Sequence, residues 1–361
     1  MQVHEHVAIE TNFCGIFDEH FNRGFVIEDH LRFDRGFDAV PGEVARLSPL
    51  VARLLAPNPG PFTFRGTGVY LVGAGGSVGE SRSDRKKSVA VIDPGPLLPQ
   101  HLAALRAAIG ARRVSHILIT HTHRDHSESA DALKAWSGAK TYGFYDPLRP
   151  SLATHASVLP ATATSPSGAL RAEGEAGPAT GEEADNADFV PDVRLADGSV
   201  VLGDGFTLTA LHTPGHAANH LCFALAQERA LFTGDHVMGW STSVIAPPDG
   251  DMADYMASLE RLIGRDDAIL YPTHGAPIAP PRPWLEALLE HRREREAQIL
   301  AQLHFARARV AGLVAALYPG LDTALHGAAA LTVTAHLRKL EAQGAVAADD
   351  DGRWRLSPPA G

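Results

Sequence analysis

Cysteine is nearly missing from this 361-residue chain: Cys14 and Cys222 are the whole supply. Two thiols build no disulfide framework, and a reducing compartment suits them. No run of about 20 apolar residues occurs, which excludes a membrane-spanning helix. The first residues, with Glu5, Glu10, Asp18 and Glu19, lack the basic start and apolar run of a signal peptide, so a cytoplasmic location is the default expectation. Positive charge is also short. Lys and Arg number 32 against 42 Asp and Glu, a net charge of −10. That balance gives no bulk attraction to DNA or to an anionic membrane and leaves room only for a local basic groove. The remaining composition, 45% hydrophobic and 20% charged, is that of an ordinary globular protein. The length allows about two domains.

What the chain does have is histidine in one place. Residues 121–126 read His121-Thr122-His123-Arg124-Asp125-His126, four good metal ligands in six positions. They follow an apolar run, Val114 to Thr120, in which Ile117, Leu118 and Ile119 read as a buried strand. Neutral imidazoles with a carboxylate suit a divalent cation such as zinc. Three later sites repeat the pattern of apolar strand, turn, ligand. His216 stands in His212-Thr213-Pro214-Gly215-His216, Asp235 in Thr233-Gly234-Asp235-His236, and His274 in Thr273-His274-Gly275. Ligands at strand ends belong to a rigid edge, which holds a site open without a closed cage.

Between these motifs the sequence alternates short strands and helices. Residues 1–30 carry His4, His6 and His20 without periodicity and read as a surface extension, with order beginning near Leu31 to Phe37. Tyr70–Val72 and Ser88–Ile92 read as strands, 98–110 as a helix, 127–136 as a helix and Thr141–Phe144 as a strand. Residues 160–190 are dominated by Ala, Gly, Pro, Ser, Thr and Glu, cannot bury enough surface to offset ordering entropy, and read as a flexible insertion. Leu221–Leu225 and Ala230–Phe232 frame a hairpin, and Met252–Ile263 is an amphipathic helix with Met252, Met256, Leu259 and Ile263 inward. After Pro283 the composition changes. A charged helix over 284–309, a helix over 331–343 and a small hairpin (345–347 with 354–356) suggest a winged-helix module. The expected division is an extension (1–30), a main domain (31–283) and a C-terminal domain (284–361).

The H-T-H-R-D-H, H-T-P-G-H, T-G-D and T-H-G elements follow an I-D-P-G strand end in that order, and together they resemble the metallo-β-lactamase superfamily over about residues 60–280. The segment Pro61–Gly73 and the winged helix are similar to one branch of it, the β-lactamase-like protein 2 type, whose animal members are endoribonucleases. The resemblance implies an α+β fold, a four-layer αβ/βα sandwich with a two-metal site on one edge, followed by the small winged-helix domain. It implies His121, His123 and His216 on a first metal, Asp125, His126 and His274 on a second, and Asp235 bridging. Zinc is the default for both positions, with iron or manganese as alternatives. Two cations about 3.5–4 Å apart share a water and lower its pKa toward about 7, so a bridging hydroxide serves as nucleophile. Asp125 then orients it as a catalytic residue.

Weaker assignments surround this set. Asp93 either supports a ligand from behind or is a turn-forming residue. His220 either holds the site through a hydrogen bond or is structural. His236 is expected to point away from Asp235, and His212 to be structural. Trp240, Ser241 and Thr242 are candidates for the substrate mouth. Three functions remain open. One is a phosphodiesterase acting on single-stranded RNA, with Arg338 and Lys339 on the presumed recognition helix. The second is an ester or thioester hydrolase of glyoxalase II type acting on a small molecule. The third is a non-catalytic regulator that binds a partner through the winged helix. The tail, 284–361, holds nine Lys plus Arg and nine Asp plus Glu, so it lacks the basic stripe of a nucleic-acid reader. No membrane partner is expected, and a homo-oligomer is left open.

Overall fold

A computed structural model of the protein describes residues 31, 33–73, 88–145, 184–186 and 188–358. The expectations for residues 1–30, including His4, His6, His20 and Cys14, lie outside the described residues, as does most of 160–190. Two sheets carry the main body. The first has seven strands in sequential order: β1 (Val44–Arg46), β2 (Val51–Leu55), β3 (Gly68–Val72), β4 (Ser88–Ile92), β5 (Arg113–Leu118), β6 (Lys140–Gly143) and β7 (Val193–Arg194). The second has five: β8 (Val200–Gly203), β9 (Phe206–His212), β10 (Leu221–Leu225), β11 (Ala230–Gly234) and β12 (Ile269–Pro272), with β12 and β8 at its edges.

Strand periodicity sorts their side chains into layers. Tyr70, Val72, Ala90 and Ile92 face inward and meet Leu221, Phe223, Phe232 and Tyr271 of the other sheet. Val69, Leu71, Val89 and Val91 face outward against helices α1 (Pro99–Ile109) and α3 (Ala130–Ser137), through Leu105, Ile109 and Leu133. Cys222 and Leu231 face the opposite outer side, where α4 (Met252–Ile263) and α5 (Pro281–Phe305) lie. Because both faces of each sheet are covered, β3, β4, β10 and β11 are buried along their whole length, which is why they read as continuous apolar runs. The result is the expected four-layer αβ/βα arrangement of an α+β protein.

Helix α4 has the bounds expected from the sequence, and Met252, Met256 and Leu259 face inward as expected. Asp251 caps it by accepting from the Asp254 N–H, a contact worth about 1 kcal/mol. Its apolar face buries Met252, Tyr255, Met256, Leu259 and Leu262, while Ile263 is only half-buried. The C-terminal part consists of α6 (Val310–Leu317), α7 (His326–Ala342) and a hairpin of β13 (Val346–Ala348) with β14 (Trp354–Leu356). The expected domain division after residue 283 falls inside α5, a single 25-residue helix. Its first turns fill the main body through Leu285, Leu288 and Leu289, and its last turns fill the winged-helix core through Ile299 and Leu303. No helix among the described residues is long and apolar enough to cross a membrane.

Candidate metal centre

The parallel strands β4 and β5, and β11 and β12, all end on one edge of the sandwich. Beyond β5, Thr120 leads into His121, and the chain turns through His123 into α2 (Arg124–Ser127), a single turn carrying Asp125 and His126. At the end of β11, Gly234 takes a φ of +50°, and a Cβ there would lie 2.5 Å from His220 Nε2 and 2.9 Å from Thr120 Oγ1. Only glycine fits so close a crossing, and Asp235 follows it into the pocket. Gly215 is constrained in the same way. Its φ is +138°, and a Cβ would lie 2.3 Å from Tyr255 Cα, so α4 packs directly on the turn that carries His216.

All seven expected donors converge. His121, His123 and His216 form one group with ligand atoms within 4.8 Å of one another, and Asp125, His126 and His274 form another. His123 Nδ1 lies 3.0 Å from His121 Nε2 and 3.2 Å from His216 Nε2. On the other side, Asp125 Oδ2 is 3.3 Å from both His126 Nε2 and His274 Nε2. Asp235 Oδ2 stands between the groups, 3.4 Å from His126 Nε2, 3.4 Å from His274 Nε2 and 3.9 Å from His216 Nε2.

The outward nitrogens are anchored. His126 Nδ1 meets Asp93 Oδ2 at 2.9 Å, His274 Nδ1 meets the Gly66 carbonyl at 3.1 Å, and His216 Nδ1 meets the Val244 carbonyl at 2.7 Å. These contacts turn the inward lone pairs toward one point, the arrangement by which supporting groups orient metal-binding histidines. His126 Nε2 and Asp235 Oδ1 are buried and make no hydrogen bond. Five imidazoles and two carboxylates with such orphaned donor atoms fit a pair of divalent cations. The set contains nitrogen and oxygen only, which suits zinc, iron or manganese.

Electrostatics divides the cluster. Burial, then the neighbouring imidazoles, hold His121 well below the usual histidine range, and burial takes His123 down to about 3. Burial also opposes charge on His126 and His274, but Asp125 and Asp235 outweigh it. They hold His126 well above the usual range and raise His274 to about 10. In return Asp235 is held well below the ordinary carboxylate range against the effect of burial, and Asp125 is also lowered.

The other candidates separate into supports and bystanders. Asp93, at a φ of +50°, accepts from Thr120 N–H at 2.8 Å and Thr120 Oγ1 at 2.7 Å besides touching His126. His220 bonds Thr213 Oγ1 through Nδ1, its buried Nε2 makes no hydrogen bond, and its ring packs 5.2 Å from that of His121. His236 is buried toward Tyr255, ring to ring 4.6 Å, and is outside the donor groups. His212 bonds the Ala218 carbonyl and stacks on Phe144. Cys222 is buried, its thiol pushed up to about 12 by that burial. Trp240, Ser241 and Thr242 are half-buried, and the Trp240 ring stacks on Phe64 at 4.8 Å.

Three groups had no signal in the sequence. Thr67 Oγ1 donates to Asp125 Oδ2 at 2.8 Å, and the Gly66 and Val244 carbonyls hold ligands. The end of the expected flexible insertion also needs correcting. Ala184–Asn186 run along the ligand loop, Arg124 N–H donating to the Ala184 carbonyl at 3.0 Å and Asn186 N–H to the Thr122 carbonyl at 2.8 Å. A cavity of about 450 Å³ lined by Ser48, Leu50, Glu228 and Tyr271 among others contains none of the seven donors.

Residues 82–274 match the Metallo-beta-lactamase superfamily, and residues 310–354 match the Beta-lactamase associated winged helix domain. The chain belongs to this superfamily, whose members typically bind two metal ions, and is a metal-dependent hydrolase. Among its relatives is an atrochrysone carboxyl ACP thioesterase of Claviceps purpurea, 31% identical over 74% of this chain and 69% of that protein. Another is the lactamase-like protein nscB of Neosartorya fischeri, 32% identical over 81% of this chain and 73% of that protein. The fold matches a Beta-lactamase domain protein from Burkholderia ambifaria with a TM-score of 0.69 at 20% identity, over 91% of this chain and 98% of the other.

Proposed function

We propose that the chain is a thioesterase. In this reading His121, His123 and His216 hold one divalent cation, Asp125, His126 and His274 hold a second, and Asp235 is shared. Zinc is the default occupant. The observation that carries hydrolysis is the convergence of these seven donors at one strand edge. Thioester chemistry is supported by relatives at about 30% identity that bear the name atrochrysone carboxyl ACP thioesterase.

When bound, the cations polarise the carbonyl and lower the pKa of the attacking water. The water oxygen bonds to the thioester carbonyl carbon, the carbon–sulfur bond breaks, and sulfur leaves as a thiol with a proton from water. Asp125, fixed by Thr67 Oγ1, orients the water by accepting its hydrogen bond. Asp93 holds His126 in place through Nδ1. The stacked Phe64–Trp240 pair, with Arg65 5.3 Å above the Phe64 ring, offers an apolar platform and a cation to the acyl part of the substrate. Ser241 and Thr242 continue that mouth.

Action on RNA is less well supported. Thr332, Val333, Ala335, His336, Leu337 and Leu340 of α7 are buried, and Lys339 is paired with Glu296 at 2.9 Å, so little of this helix is presented to a groove. The zinc-loaded protein should be assayed in parallel on an aromatic acyl thioester, single-stranded RNA and a bis-phosphodiester, with Asp235→Asn as control. The thioester is expected to exceed the others in kcat/KM by at least about 100-fold, with the control lacking activity. Ligand-dependent cleavage of RNA at a higher rate would overturn the proposal.

A further inference from the structure

The segment 243–245 passes behind two of the candidate ligands and is held from its far side by the C-terminal helices. Val244 offers its carbonyl to His216 Nδ1 at 2.7 Å. Ser243 Oγ donates to the Asp235 carbonyl at 2.5 Å and lies 3.0 Å from the His236 carbonyl. The segment therefore sets the backbone of Asp235 and the ring of His216 together. On the other side, Arg292 of α5 donates to the Ser243 carbonyl at 2.6 Å, and Ile245 N–H donates to Thr332 Oγ1 of α7 at 3.3 Å.

We propose that Arg292 and Thr332 are positioning residues for the metal centre. They clamp 243–245 so that His216 and Asp235 keep their ligating orientation, which makes the C-terminal helices a working part of the site. Arg292 is one of the largest fully enclosed side chains in the protein, at 2% exposure, and its guanidinium lies 5.1 Å from the Tyr255 ring, which in turn backs the Gly215 turn before His216. A buried guanidinium is costly unless its contacts are specific, and that of Arg292 donates its hydrogen bond to this segment. Thr332 sits beside Ala335, which packs in the same core as Ile245. Neither residue lies within the sequence motifs that mark the ligands.

This inference rests on the metal reading of the seven donors. Its test is zinc affinity of the full chain, read by competition with a chromogenic chelator, together with the visible spectrum of the cobalt-substituted protein. Thr332→Val preserves shape and removes the acceptor, and is expected to weaken metal binding about tenfold and alter the cobalt bands, with Thr332→Ser restoring both. Arg292→Met is expected to cost about 10- to 100-fold, with partial recovery in Arg292→Lys. Arg293→Met, which removes an exposed arginine of α5 paired with Glu260 of α4, should leave affinity unchanged. A lower melting temperature with wild-type affinity and spectrum in Thr332→Val would overturn the proposal, whether or not Arg292→Met folds. Failure of the wild-type chain to take up metal would instead sink the reading of the site itself.

Discussion

Protons and divalent cations compete for the same lone pairs in this site. Burial disfavours charge on His274, yet Asp235 and Asp125 raise it to about 10, and with Asp93 they hold His126 well above the usual range. Ligation requires both rings neutral. Zinc uptake near neutral pH is therefore expected to release about two protons, and affinity to climb with pH until His274 has titrated. Calorimetry in buffers of different ionisation enthalpy measures this, and an uptake that releases no protons would remove His126 and His274 from the ligand set. Asp93→Ala strips His126 and Thr120 of a shared acceptor, and metal affinity should fall about 10- to 100-fold in the same calorimeter. Unchanged affinity would return Asp93 to the role of a turn residue. The seven candidate donors could be singled out in the sequence because each follows an apolar run and a turn, so the strand ends advertise them. Their supports were not. Thr67 reaches Asp125 across 58 positions and Gly66 reaches His274 across 208, and a backbone carbonyl such as that of Val244 has no residue type to announce it.

Strands buried on both faces and the amphipathic helix α4 were read nearly to the residue, as β4, β10 and α4 show. The misses have physical causes. Strand β1 is exposed throughout, so no alternation marks it. Arg53 interrupts β2, and it is tolerated at 5% exposure because its guanidinium sits 4.5 Å over Phe37 and reaches the Gly275 carbonyl. Helix α7 begins five residues before the expected 331, over a stretch of Gly and Ala that gives no amphipathic signal. Between α5 and α7 lies an acid-sensitive contact. His336 is taken down to about 4, first by burial and further by Arg292 and Arg295, against the hydrogen bond it makes to Glu296. Lys339, paired with Glu296, adds a positive charge nearby, and His291 is itself held well below the usual histidine range by burial. Between pH about 6.5 and about 4 the unfolded chain binds a proton on this residue that the folded chain refuses. The stability it contributes is complete above that window and is lost as pH falls through it, about 3 kcal/mol in all. Denaturant midpoints measured across this range should show a shallower decline in His336→Gln. Identical slopes would mean that the histidine ionises without disturbing the interface.

Across the whole molecule, the change in composition after Pro283 marks where new sequence begins, but the fold does not divide there. Leu285, Leu288 and Leu289 complete the core behind the second sheet, at 2%, 1% and 5% exposure. Each buried leucine contributes about 1.5–3 kcal/mol. Together they are comparable with the about 5–15 kcal/mol that holds a typical protein folded. A chain ending at residue 283 is therefore expected to fail as a folded species, by loss of a cooperative melting transition. A chain ending at Phe305 keeps those leucines and Arg292 but loses Thr332 and Ala335 while exposing Ile299 and Leu303. It should melt cooperatively at a lower temperature and bind zinc more weakly than the full chain. Calorimetric melting and metal titration of the two truncations separate the contributions. A 1–283 fragment with the full chain's melting temperature and zinc affinity would show that the hydrolase body is autonomous and that the C-terminal helices only decorate it.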